Sequence, residues 1–126
     1  MGKSGSGAEA RSIFRKAKVS FTGEADAEKF RTGLLLLKQA AILNHAGAHE
    51  WLGAVYDYGL GTRPNRPLAF EHYLRAAKQG SPNSEYHVGI FYCGGIGVRK
   101  NHRLAVKWLR KAVQSAVTAR AATAEK

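Results

Sequence analysis

Five histidines, one cysteine and a lysine set between glycines are the side chains of this chain suited to catalysis, metal binding or phosphate binding. Thiol catalysis needs a base beside Cys93 and a third group to orient it. His87 lies six residues earlier, on a different face of any helix that holds both. Zinc needs three or four ligands at compatible spacing. His45 and His49 are four apart but flank Ala46-Gly47, where a helix break is expected, and His72, His87 and His102 share no spacing. Packing or surface roles account for all five. Lys3 in Gly2-Lys3-Ser4-Gly5 lacks the upstream glycine and the strand of a phosphate loop, and Gly94-Gly95-Ile96-Gly97 precedes no Rossmann unit. Met1 to Ser6 fits the loose N-myristoylation pattern. In a eukaryotic source, Lys3, Arg11, Arg15, Lys16 and Lys18 would add the second signal that stable anchoring needs. No catalytic residue, metal, cofactor or small-molecule substrate is expected.

Charge points elsewhere. The 126 residues carry a net charge of +11, which favours acidic partners: an acidic protein, nucleic acid or an anionic surface. Between Glu85 and Glu125 there is no acid, while Arg99, Lys100, Arg103, Lys107, Arg110 and Lys111 crowd the same stretch. Arg103, Lys107, Arg110 and Lys111 follow i, i+4, i+7, i+8 and form one stripe on a helix. A solvated helix face is the plain reading of that stripe. Docking of an acidic protein comes next, then nucleic acid or lipid headgroups, for which exposed interleaved aromatics or a reading helix would be expected.

The elements that position these residues come from a repeat. A shift of 36 positions pairs Gly53/Gly89, Tyr56/Tyr92, Gly59/Gly95, Gly61/Gly97, Arg63/Arg99, Asn65/Asn101, Leu68/Leu104, Ala69/Ala105 and Ala76/Ala112 without a gap. Each unit reads as two helices joined by a glycine loop. Leu52, Val55 and Tyr56 have the spacing of one helix face. Gly53 and Gly89 lie inside the first helices, where the smallest side chain suits close approach of a neighbour. Gly59 and Gly61 stop the helix, and Asn65 with Pro67 starts the second, over Arg66 to Gln79. The next unit places helices at Ser84 to Cys93 and from His102 to about Val117, capped by Asn101. Upstream, Leu37, Ala40 and Ala41 fall in the register of Tyr73, Ala76 and Ala77, so Glu24 to Leu43 reads as the second helix of a degenerate unit, capped by Asp26 or Thr22. Ala10 to Val19 is its first helix.

Leu52-Gly53-Ala54-Val55-Tyr56, Gly59-Leu60-Gly61 and Ala69 to Gly80 resemble a Sel1-like repeat, as do Val88 to Tyr92, Gly95 to Val98 and Ala105 to Ala112. His72 stands where the pattern prefers an aromatic such as Trp108. The resemblance implies an all-α fold, an α/α solenoid of antiparallel helix pairs related to tetratricopeptide repeats, and binding of another protein. The expected divisions are a flexible tail at 1–9, a degenerate N-terminal repeat or capping helices at 10–47, repeats at 48–83 and 84–119, the second with an extended C-terminal helix, and a tail at 120–126. No apolar run approaches the roughly 20 residues of a membrane span, the first 20 residues hold no signal-peptide core, and Cys93 has no disulfide mate. A cytoplasmic protein is expected.

The geometry of tetratricopeptide repeats, carried over, places Glu50, Ala54, Asp57 and Tyr58 on the concave wall of one unit. Tyr86, Ile90 and Cys93 take the matching places in the next. A competing reading packs Tyr86 and Ile90 against the extended last helix. The expected function is that of a non-catalytic adaptor or scaffold taking a peptide or partner protein in the concave face. The alternative is a basic module that binds nucleic acid or another anionic surface through the outer stripe.

Overall fold

A computed structural model describes residues 2–24 and 26–124, and these contain six helices and no strand. They are α1 (Gly2–Val19), α2 (Ala27–Ile42), α3 (Ala46–Tyr58), α4 (Arg66–Lys78), α5 (Pro82–Gly94) and α6 (His102–Ala124). Helices pair as α1 with α2, α3 with α4 and α5 with α6, and successive pairs join through α2·α3 and α4·α5. The result is an all-α solenoid.

The two C-terminal pairs are built alike because their loops are. Gly59 and Gly95 end α3 and α5 in the left-handed region, at φ 72° and 65°, a conformation with little cost only for glycine. Each loop is then clasped to the helix before it, with the Asn65 amide donating to the Tyr56 carbonyl at 2.7 Å and that of Asn101 to Tyr92 at 2.9 Å. The same asparagines cap the next helices, Oδ1 of Asn65 accepting from the Leu68 amide and that of Asn101 from Leu104. Asp26 caps α2 in the same way, accepting from the Glu28 amide at 2.9 Å, whereas the Thr22 hydroxyl donates to the Val19 carbonyl.

Burial follows the helical period. Leu34 and Leu37 of α2, Leu52, Val55 and Tyr56 of α3, Ala69, Phe70, Tyr73 and Ala77 of α4, and Val88 and Phe91 of α5 make one continuous core. Close approach depends on Gly53, where a Cβ would lie 2.6 Å from the Tyr73 ring, and on Gly89, where it would lie 2.6 Å from Leu109.

Several boundaries differ from the sequence expectation. The helix break before α3 lies at Asn44, with φ 59°, and His45 caps α3 through Nδ1, so Gly47 is inside the helix with the Phe14 ring against it. Pro82 opens α5 two residues early, a position where its missing N–H costs nothing. Helix α1 starts at Gly2 and α6 continues to Ala124, so the described parts of 1–9 and 120–126 are helical. Residues 1, 125 and 126 lie outside the described residues. The α1 extension runs against local propensity, since each of Gly2, Gly5 and Gly7 costs about 1 kcal/mol relative to alanine.

Candidate functional site

A hollow of about 330 Å³ opens on the face formed by α3, the α1–α2 turn and α5. Glu50, Ala54 and Tyr58 recur at i, i+4, i+8 along α3 and line it together with Trp51 and Val55. Phe21 closes one end, its ring 5.7 Å from Trp51 at a steep angle. Tyr73 and His87 form the other wall, their rings stacked 4.3 Å apart and nearly parallel. Leu60 of the glycine loop completes the rim.

The polar groups at this hollow are few and held in place. Glu50 Oε1 accepts from Ser81 Oγ at 2.6 Å and, more weakly, from Ser84 Oγ at 3.5 Å, which ties α3 to the start of α5. Asp57 pairs with Arg66 Nε at 2.9 Å across the loop. Burial pushes the Tyr73 phenol well above its ordinary pKa, and the nearby Asp57, Tyr58 and Glu50 push the same way. Its hydroxyl therefore stays neutral. The wall is apolar and aromatic with a faint acidic edge, and it holds no nucleophile with an adjacent base.

Of the concave-face residues expected from sequence, Glu50, Ala54 and Tyr58 meet here. Asp57 points to its ion pair with Arg66. Tyr86 lines a separate hollow against α6, with Leu109, Ala112 and Val113. Ile90 is half-buried, and Cys93 is exposed as a free thiol. Phe21, Trp51, Leu60, Tyr73 and His87 were not anticipated as lining. Trp51 and His87 occupy the same repeat position, 36 apart, and that pairing is the signal that would have found them. Phe21 lies outside the repeat and carried no such signal.

The six cations Arg99, Lys100, Arg103, Lys107, Arg110 and Lys111 are all exposed, and Ala105 and Ala112 of the same helix face inward. Among the described residues only Lys111 of these six has a carboxylate within 4 Å, the fully buried Glu85, at 3.9 Å. Its ammonium also lies 5.0 Å from the centre of the Trp108 ring. A different polar cluster sits on the opposite side of α3 from the first hollow. His49 and His72 face each other with Nδ1 atoms 3.0 Å apart, and His49 Nε2 meets Asn44 Oδ1 at 3.2 Å. Among the described residues no three histidine, cysteine or acidic side chains gather as metal ligands, and no helix is long and apolar enough to cross a membrane.

Similar proteins share this architecture. A profile of the Sel1 repeat matches residues 46–81 and 82–116. The chain is 31% identical over 104 residues to protein sel-1 homolog 2 of Mus musculus, covering 82% of this chain and 15% of that protein. It is 33% identical over 87 residues to DAP3-binding cell death enhancer 1 of Rattus norvegicus, covering 69% of this chain and 16% of that one. The chain thus spans a small part of the curated relatives it matches. In structure it superposes on a protective antigen of uropathogenic Escherichia coli that displays an SLR fold, with a TM-score of 0.78 at 23% identity, covering 83% of this chain and 22% of the other. With two matched repeats over more than half of its length and the helix pairs to go with them, the chain belongs to the Sel1 repeat family.

Proposed function

We propose that this chain is a non-catalytic adaptor or scaffold that takes a peptide or a partner helix in the hollow along α3. Repeats of this family generally mediate protein–protein interaction. The observation that carries the reading is the hollow itself: Phe21, Trp51, Tyr58 and the Tyr73–His87 stack surround a space of about 330 Å³ in which an apolar side chain is shielded on several sides. Aromatic walls of this kind supply contact area at low conformational cost, which is why such residues dominate interface energetics. The rat relative, DAP3-binding cell death enhancer 1, is by its name a protein that binds another, and the same class of activity is proposed here. A reducing compartment such as the cytosol suits the free, exposed Cys93.

The test is a pair of substitutions at the rim. Ala54→Arg fills the hollow with a charged side chain, and Tyr58→Ser removes an exposed aromatic at its edge. Tyr58 is exposed and Ala54 is half-buried at the open side of the hollow, so the helical circular dichroism should persist. Affinity capture from the native host, with captured proteins compared between wild type and variants, should lose the same partner in both. A partner retained in full by both variants would rule out the hollow as its binding site.

A further inference from the structure

The side of α3 away from the first hollow carries a different chemistry. A second hollow, of about 310 Å³, is lined by α2, α3 and α4. It is a seam between two helix pairs, both of them in this chain. Lys38 comes to it from α2 and Arg75 from α4, with His49 and His72 between them and Ala41 and Leu52 as apolar lining. No acid lines it. Among the described residues neither Lys38 nor Arg75 has a carboxylate within 4 Å, and this includes Glu71, one turn before Arg75. Glu50, on the other face of α3, is taken up by Ser81 and Ser84. His72 meets His49 through Nδ1, and its Nε2 has no hydrogen-bond partner among the described residues.

The 36-residue register indicates what such a seam holds. One period on, Lys38, His49, His72 and Arg75 become Leu74, Glu85, Trp108 and Lys111. In that second seam the chain supplies its own anion. Glu85 is fully buried with its carboxylate 3.9 Å from Lys111 Nζ, and the same ammonium lies 5.0 Å from the centre of the Trp108 ring. The first seam keeps the cation, at Arg75, adds another at Lys38, and has a histidine in place of the carboxylate. We propose that the seam between α2 and α4 binds a carboxylate on a short apolar stem, supplied from outside the chain, which offsets Arg75 and Lys38 as Glu85 offsets Lys111. The Arg75 guanidinium offers a fork that a carboxylate can take with two hydrogen bonds, and Lys38 adds a point charge from α2. Ala41 and Leu52 give the stem an apolar surface. A free small acid and a glutamate side chain of another protein share this chemistry. Around the His72 ring stand Lys38 of α2, His49 and Tyr56 of α3, and Arg75 of its own helix. Burial and the two cations hold its pKa at about 4, and an anion beside it would favour a second proton on the ring. This seam is separate from the hollow that carries the proposed function, and either can exist without the other.

Butyrate is the probe, titrated into the 126-residue chain at constant ionic strength, with binding read from the ring NMR signals of His49 and His72. Saturable shifts of both rings are expected, with a rise in the pKa of His72, whereas neutral butyramide should leave both signals in place. Lys38→Gln with Arg75→Gln should weaken binding at least ~10-fold. Both side chains are exposed, so the helical circular dichroism should persist. Arg103→Gln with Arg110→Gln removes the same charge from α6 and should leave the affinity unchanged. A capped peptide, Ala-Ala-Glu-Ala-Ala, separates the two sources. Tighter binding than butyrate gives the seam to a glutamate of another protein, and weaker binding gives it to a free acid. Linear shifts without saturation, equal losses in the two double variants, or tighter binding of inorganic phosphate than of butyrate would each overturn the proposal.

Discussion

His49 and His72 are the residues whose protonation the fold opposes most clearly. Asn44 Oδ1 can only accept, and it also takes a hydrogen bond from Gln79 Nε2, so Nε2 of His49 carries the hydrogen. His49 Nδ1 is then the acceptor and His72 Nδ1 the donor. A second proton on His49 would point at that donor. Burial lowers the pKa of both rings to about 4 from an ordinary 6.5, aided on His49 by His72, Arg75 and His45 and on His72 by Arg75 and Lys38. Every perturbing charge is a cation. The folded state therefore binds fewer protons than the unfolded chain between about pH 4 and 6.5, and stability declines as pH falls through that window. Thermal melts should show a Tm that is flat between about pH 7 and 9 and drops by several degrees towards pH 5. His72→Phe should flatten the profile in this range, and a profile that stays steep would show that other groups set it. Sequence alone placed these histidines as packing or surface residues with no link between them. They lie 23 apart, a spacing unrelated to the 36-residue period, so only the folded α3–α4 pair brings them together.

At the scale of the helix, Gly53 sets local propensity against packing. Propensity alone says that alanine would stabilise the middle of α3 by about 1 kcal/mol. The Tyr73 ring lies where the new Cβ would go, and that ring is itself wedged between Phe91 and His87. Gly53→Ala is therefore expected to destabilise, by about 1–3 kcal/mol, as overpacking does. Urea unfolding measures the sign directly, and a stabilised variant would mean the α3–α4 spacing is softer than described. The register Gly53/Gly89 was legible because both glycines recur, and the expectation of close helix approach followed from it. Loop glycines, asparagine caps and inward faces were read off the same period. The ends of α1 and α6 were not, because three glycines in one and a run of small residues in the other look like tails to any local rule. The lining of the hollow along α3 was half legible. Glu50, Ala54 and Tyr58 follow helical spacing, whereas the assignment of Tyr86 assumed that one unit's wall continues into the next.

For the whole molecule, the angle between successive pairs decides how wide the face along α3 opens. That angle has a bearing point. Gly97, at φ 66°, lies so near the start of α4 that a Cβ would collide with the Arg66 carbonyl. Gly80, at φ 92°, has nothing within 4 Å of where its Cβ would be. Comparing Gly97→Ala with Gly80→Ala separates the two costs: both carry the backbone strain of about 1 kcal/mol or more for a side chain at positive φ, and only the first adds a collision between pairs. Gly97→Ala should lower the urea midpoint clearly more than Gly80→Ala, and equal effects would show that the loop does not bear on α4. Most packing joins elements adjacent in the chain, α1 on α2, α2 on α3, and so on to α6, with lighter contacts between alternate helices such as Phe14 with Trp51 and Glu50 with Ser81. Such a chain closes loops of about one repeat as it folds, and little entropy is spent bringing distant segments together. During synthesis α1 to α4 can assemble as they leave the ribosome, before α6 has been made. The newest helix pair always finds a finished surface waiting for it.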